Sequence, residues 1–292
     1  MLTLPHAFPF HRQRRKLPAL LARGAVLTIC LLLGLPAPGL AGEDQDVLRV
    51  TGLDILKVEV QGQADVEISQ GTSTELLVRG ASARLSPEPF HVRGQTLILG
   101  VPANSGQATA GVQFKLTLPL LESLRVAGSG DVFVRALRVD NFKLRVDGAG
   151  DVHLFALRGD SAEVFMRGDG DVQVAEAALQ ALQLRLSGAG DIFLGPLQAE
   201  SIEAVVNGSG DIAASEEGHT TVLSVTVVGS GDVDFSGLTA SDVDVSVIGS
   251  GGVRLGPSTR LNATIMGSGD IHYAGTPDVD EDVIGSGELK RE

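Results

Sequence analysis

The chain has 292 residues, enough for one large domain or two modest ones. It holds 37 glycines, one tyrosine and no tryptophan, a composition suited to a thin, repetitive β core rather than a wide globular one. Its formal net charge of −13 repels phosphate backbones and anionic lipid headgroups, which argues against nucleic acid as a partner.

Residues 1–41 read as a secretory signal peptide. Arg12, Arg14, Arg15, Lys16 and Arg23 precede an apolar run, Ala25–Leu35; then come Pro36, Pro38 and Gly39, with cleavage placed after Ala41. The run is about 11 residues, too short to span a bilayer comfortably; the alternative is an uncleaved anchor. The single cysteine, Cys30, lies in this run behind Ile29, which is not a small residue, so it is a poor lipoprotein acceptor. The mature chain, from 42 on, is expected to have no cysteine, no disulfide, no thiol nucleophile and no transmembrane span. It is expected outside the cytoplasm: in the periplasm, on the outer-membrane surface or extracellular.

Residues 42–120 are expected to form an N-terminal β region. Residues 42–49 read as a polar lead-in. Around Gly62, the apolar Val58, Val60, Val66 and Ile68 with Asp65 outline a first, degenerate coil. Strands are expected at Leu76–Val78, Leu97–Val101 and Phe114–Leu118, between turn signals at Ser86–Pro89, Arg93–Gln95 and Pro102–Gly111. These strands would cap the open N-terminal end of the repeats at 121–292.

From 121 to 292 one tetrapeptide, glycine-small-glycine-acid, returns nine times. Its first glycines are Gly128, Gly148, Gly168, Gly188, Gly208, Gly229, Gly249, Gly267 and Gly285, spaced 20, 20, 20, 20, 21, 20, 18 and 18 residues apart. A fixed period near 20 marks a repeat architecture. Apolar residues alternate on both sides of each tetrapeptide, as in Phe142, Leu144, Val146 and then Val152, Leu154. Period two means strands with one buried face, so each repeat reads as two short strands about a glycine corner. Leu137, Leu157, Leu197 and Leu238 are expected to point inward from the return segment. No single repeat can bury its apolar face, whereas stacked repeats can. The fold class is therefore all-β: a right-handed parallel β-helix, or β-solenoid, of ~20-residue coils with an N-terminal β cap, rising about 4.8 Å per coil. One continuous domain spans roughly 50–290. Two-sheet and three-sheet cross-sections both remain open.

These residues carry a family likeness. The Gly-small-Gly-Asp-Val corners resemble the bacterial domain of unknown function called the putative autotransporter adhesin, head GIN domain. So do Thr51-Gly52-Leu53-Asp54 leading into Val58-Glu59-Val60, then Asp65-Val66-Glu67-Ile68. The join Leu116-Thr117-Leu118-Pro119-Leu120-Leu121-Glu122-Ser123-Leu124, running into Gly128, is similar too. The resemblance covers nearly all of 50–290. It implies an exported β-solenoid of bacterial envelopes and brings no catalytic residues. No run of long alternating strands suits an outer-membrane barrel.

The candidate site is the acidic ladder Asp131, Asp151, Asp171, Asp191, Asp211, Asp232 and Asp270, followed by Glu288, with Gly252 interrupting it. Coils stacked in register would make a column of carboxylates about 4.8 Å apart, which calcium would compensate. The preferred reading is that each aspartate accepts hydrogen bonds from the N–H groups of its own glycine turn. Adjacent ladder acids also meet the separation that glycoside hydrolysis needs, about 5–9 Å, but the regular spacing discriminates nothing and aromatic sugar platforms are scarce. His91, His153, His219 and His272 share no metal-ligand spacing, and His153 falls on an outward phase. The glycine corners precede no helix and so are not dinucleotide loops. The expected function is a non-enzymatic, adhesion-type envelope module without cofactor, binding an envelope protein or polysaccharide through its faces. The alternatives are a carbohydrate-active enzyme on one face and a calcium-stabilised structural protein.

Overall fold

The computed structural model describes residues 45–100, 110–214 and 216–292. The signal-peptide reading, Cys30 and most of the Pro102–Gly111 turn lie outside these residues. Every described strand falls within one compact unit, residues 43–292, with its own core.

The described chain is β throughout, apart from the 3-10 turn Ser82–Arg84. The nine corners join nine strand pairs, numbered here as coils 1–9. Coil 1 is Ser123–Val126 with Val132–Val134, coil 2 Leu137–Val146 with Val152–Leu154, and coil 3 Leu157–Met166 with Val172–Val174. Coil 4 is Ala177–Leu186 with Ile192–Leu194, coil 5 Leu197–Gly208 with Ile212–Ala213, and coil 6 Gly218–Gly229 with Val233–Phe235. Coil 7 is Leu238–Gly249 with Val253–Leu255, coil 8 Ser258–Gly267 with Ile271–Tyr273, and coil 9 Asp278–Gly285 with Leu289–Arg291. Every strand pairs in parallel with its equivalent one coil away, and the register follows the repeat: Leu144 opposes Val164, which opposes Leu184. The long strands build a 12-stranded sheet and the short ones a 13-stranded sheet.

The cross-section has two hydrogen-bonded sheets but three inward faces. In Leu137–Val146 the buried side chains are Leu137 and Val139, then Phe142, Leu144 and Val146. The alternation slips by one residue at Asp140–Asn141, and pairing with the next coil skips Asp140. The return segment and the strand before the corner, expected as separate pieces, are thus one strand bent in the middle. A bend lets 10 to 12 residues wrap two sides of a narrow core while the hydrogen bonds continue. Leu137, Leu157, Leu197 and Leu238 all point inward and are at most 2% exposed.

The degenerate coil around Gly62 is present as Lys57–Val60 and Asp65–Gln70, stacked on coil 1. A further parallel layer, Thr96–Leu99 with Gln113–Leu118, lies on its other side. Antiparallel strands then close the end: Glu75–Ala81 and Gln45–Thr51 on the 13-stranded sheet, Phe90–Arg93 on the 12-stranded one. This is the N-terminal cap. Part of the expected polar lead-in is therefore a strand, Gln45–Thr51. It sits at an edge with only Leu48 and Val50 packed on the core, and such a half-signal is weak in sequence. At the opposite end Glu281 and Arg291 occupy inward register positions beside Ala263 and Tyr273, so charge replaces apolar side chains where the core stops.

Candidate functional site

The corner is built by close backbone approach. A Cβ on Gly148 would lie 1.9 Å from the Gly128 carbonyl oxygen, and one on Gly190 would lie 2.0 Å from that of Gly170. The carbonyl of the first corner glycine accepts corner N–H groups of the next coil, as Gly128 does from Ala149 at 3.1 Å and from Gly150 at 3.3 Å. Glycine is required because the hydrogen bond runs where a side chain would begin.

The aspartates of the ladder stand in register and half-buried, but not as turn caps of their own coil. Each Oδ1 accepts the backbone N–H of the equivalent residue one coil on. Asp171 donates to Asp151 at 2.9 Å, Asp191 to Asp171 at 2.9 Å, Asp211 to Asp191 at 2.9 Å and Asp232 to Asp211 at 2.8 Å. The series begins with Asp131 donating to Asp65 and Asp151 to Asp131, and it ends with Glu288 donating to Asp270. Gly252 donates to Asp232 at 2.6 Å but offers Asp270 no carboxylate in return. The physical reason is the parallel register: between the corner and the short strand, a side-chain oxygen supplies an acceptor for an N–H that would otherwise lack one. Burial raises the Asp171 carboxyl above its ordinary value. The N–H of Asp191 opposes this, and the charges of Asp191 and Asp151 add to the rise. Among the described residues no three His, Cys, Asp or Glu side chains converge as metal ligands.

The histidines stay apart. His153 lies outward, as its phase implies, and its ring stacks on Phe133 with centroids 5.0 Å apart and planes 10° apart. Its Nδ1 is 3.2 Å from Gln173 Oε1. Phe133, His153, Gln173 and Phe193 form one outward column of the 13-stranded sheet, and Phe155 lies two residues after His153, in the turn that follows Val152–Leu154. Phe133, Phe155 and Phe193 are 48%, 74% and 37% exposed. The sequence signal for this patch is phenylalanine on the outward phase, which a search for tryptophan and tyrosine passes over.

On the 12-stranded sheet, Arg145 lies 4.6 Å from the Phe165 ring centre and Arg167 lies 5.6 Å from it. Asp147 bonds both Arg145 and Arg125, and these contacts, Arg145 first, hold its carboxyl below its ordinary value against burial. A groove of about 440 Å³ opens beside them, lined by Lys57, Leu120, Leu121, Asp140, Asn141 and Lys143 among others. It exists because Ser123–Val126 covers only the second half of Leu137–Val146. Gln70 plugs part of the uncovered edge: its Oε1 accepts from Arg138 N–H at 2.8 Å, and its Nε2 donates to the carbonyls of Arg138 and Pro119. Among the described residues no helix is long and apolar enough to cross a membrane.

Solved structures share this fold. A protein of Parabacteroides distasonis, described as a putative lipid binding protein, is 22% identical with a TM-score of 0.64, covering 85% of this chain and 97% of its own. Putative adhesins of Parabacteroides merdae and Bacteroides fragilis are 17% and 19% identical, with TM-scores of 0.65 and 0.51. The first covers 85% of this chain and 96% of its own, the second 86% and 98%. No curated protein matches the chain. The family model described as "Putative auto-transporter adhesin, head GIN domain" matches residues 56–215 and 166–277. With its glycine corners, aspartate ladder and capped parallel coils, the chain belongs to that family.

Proposed function

We propose that this protein is an exported, non-enzymatic envelope module that binds a macromolecular partner through the outer face of its 13-stranded sheet. The observation that carries this is the outward column Phe133–His153–Gln173–Phe193 with Phe155 beside it. In a chain with 4% aromatic residues, three phenylalanines stand exposed within coils 1–4. Exposed aromatic clusters mark interaction surfaces, and partner contacts concentrate on such anchors. The basic, apolar N-terminus of the sequence supports export, and the family's adhesin description agrees with a surface role. The likeness to a protein described as lipid-binding makes vesicles a necessary comparison.

The test measures binding of the unit 43–292 to purified envelope proteins, envelope polysaccharides and neutral lipid vesicles. The paired substitution Phe133→Ser with Phe155→Ser should abolish binding while leaving the melting temperature unchanged, because both rings lie outside the core. Retained binding by the folded variant would reject this face as the site. Turnover of a polysaccharide by the unsubstituted protein would reject the non-enzymatic reading.

A further inference from the structure

The outer face of the 12-stranded sheet is polarised along the stacking axis. Coils 1–4 present Arg125, Lys143, Arg145, Arg167 and Arg185 on it, partly offset by Asp147 and Glu163. Among the described residues Arg167 has no carboxylate in ion-pair reach; its contact is the Phe165 ring. Coils 7–9 present Asp244, Asp280 and Asp282 on the same face; the one basic side chain of their long strands, Arg260, lies at the bend and is paired with Asp242. Along its corner margin, Val228, Ile248, Met266 and Ile284 stand in register, 38%, 41%, 45% and 60% exposed. The same column in coils 2–5 is Asp147, Arg167, Ser187 and Asn207.

We infer that this face pairs with a second copy of the chain in antiparallel orientation, about a two-fold axis that lies along the strands near coil 5. A two-fold interface must be complementary to itself. A face that is positive at one end and negative at the other meets this condition only when the copies run in opposite directions. Parallel copies would set Asp280 and Asp282 against their own equivalents. In the antiparallel arrangement the arginine end of each copy covers the acidic end of the other, and both apolar margins are drawn under the interface. Nine coils at about 4.8 Å, by a strand half about 20 Å wide, give roughly 800 Å² per copy. That is the area of a standard specific interface. The inference is independent of the partner-binding face proposed above, which lies on the other sheet.

The experiment is sedimentation equilibrium of the unit 43–292. The unsubstituted protein should be dimeric at low salt, and its dissociation constant should rise at least tenfold near 1 M salt, where the Debye length is about 3 Å. Asp280→Lys with Asp282→Lys makes both ends positive, and Arg125→Glu with Arg167→Glu makes both ends negative. Each variant alone should be monomeric, and an equimolar mixture should form a heterodimer, since each end then meets its opposite. Melting curves check that both variants are folded; Arg167→Glu alone, at a position outside any ion pair, serves if the double change unfolds the chain. An unsubstituted protein that stays monomeric at low salt, a dimer indifferent to both reversals, or a mixture that stays monomeric would each overturn the inference.

Discussion

At the scale of single residues, the aspartate ladder works as a set of side-chain acceptors that staple each coil to the next. A hydrogen bond to a charged acceptor contributes about 1.5–3 kcal/mol, less where solvent reaches the carboxylate, as it does here. The missing rung at Gly252 tests this. A Cβ there would meet nothing closer than Asp232 Oδ1 at 3.3 Å, so Gly252→Asn should fit and supply an acceptor for the Asp270 N–H. It is expected to raise the melting temperature, and Gly252→Ala, which adds no acceptor, should raise it less. The pH response follows from Asp171. Its folded value is raised, so the folded state holds the proton more tightly, and this site adds stability as pH falls from neutral through the folded value. Asp171→Asn keeps an acceptor without charge; it should be more stable than the original at pH 7 and should flatten the gain on mild acidification, read from melting temperatures. Asp147 has the opposite sign: its folded value is lowered, so its contribution is lost as pH falls through that value. Each ladder Oδ1 already takes an N–H, so calcium is expected to leave the melting temperature where a chelator leaves it; a calcium shift reversed by chelator would assign the column a cation.

At the scale of the coil, what matters is how one layer lies on the next. Every corner carbonyl occupies the place of a Cβ in the layer above, so a side chain there must push two coils apart. Gly190→Ala, in the middle of the stack, would place its Cβ 2.0 Å from the Gly170 oxygen and 2.4 Å from Met166 Cε. It should destabilise by more than about 3 kcal/mol. Gly287→Ala meets a comparable clash, 2.1 Å from the Gly269 oxygen, but it can release only coil 9, whose strand Asp278–Gly285 is exposed along its length. Because repeats contact mainly their neighbours, that variant should lose far less, and denaturant melts of the two proteins compare them directly. Core columns such as Leu144–Val164–Leu184 add the apolar term; Leu184→Ala should cost about 2–5 kcal/mol.

At the scale of the molecule, charge is unevenly spread. Residues 191–292 hold 17 acidic and four basic side chains, so the C-terminal third of the chain repels itself. Added salt screens that repulsion. At protein concentrations low enough to keep the chain monomeric, its melting temperature is expected to rise with salt. A fall would mean that the exposed ion pairs, such as Arg158–Glu176 and Arg185–Glu203, outweigh the repulsion.

The sequence by itself determined the parallel stack. A strict period and the alternation around each corner are local signals, and every coil repeats them, so Phe142, Leu144, Val146, Val152 and Leu154 reveal their burial without any knowledge of neighbours. The same repetition announced the aspartate column. Only the tertiary structure decided which N–H each aspartate takes, because that donor sits 20 residues away in sequence and is brought near by stacking. It also decided the bend at Asp140–Asn141, where side-chain phase slips while hydrogen bonding continues. The cap likewise had to be seen: Gln113–Leu118 pairs in parallel with Asp65–Gln70 and antiparallel with Glu75–Ala81, so its spatial order departs from chain order. The outward phenylalanines and the polarity of the long-strand face belong with these, since a lone Phe or Arg on a polar phase says nothing until register sets its neighbours beside it.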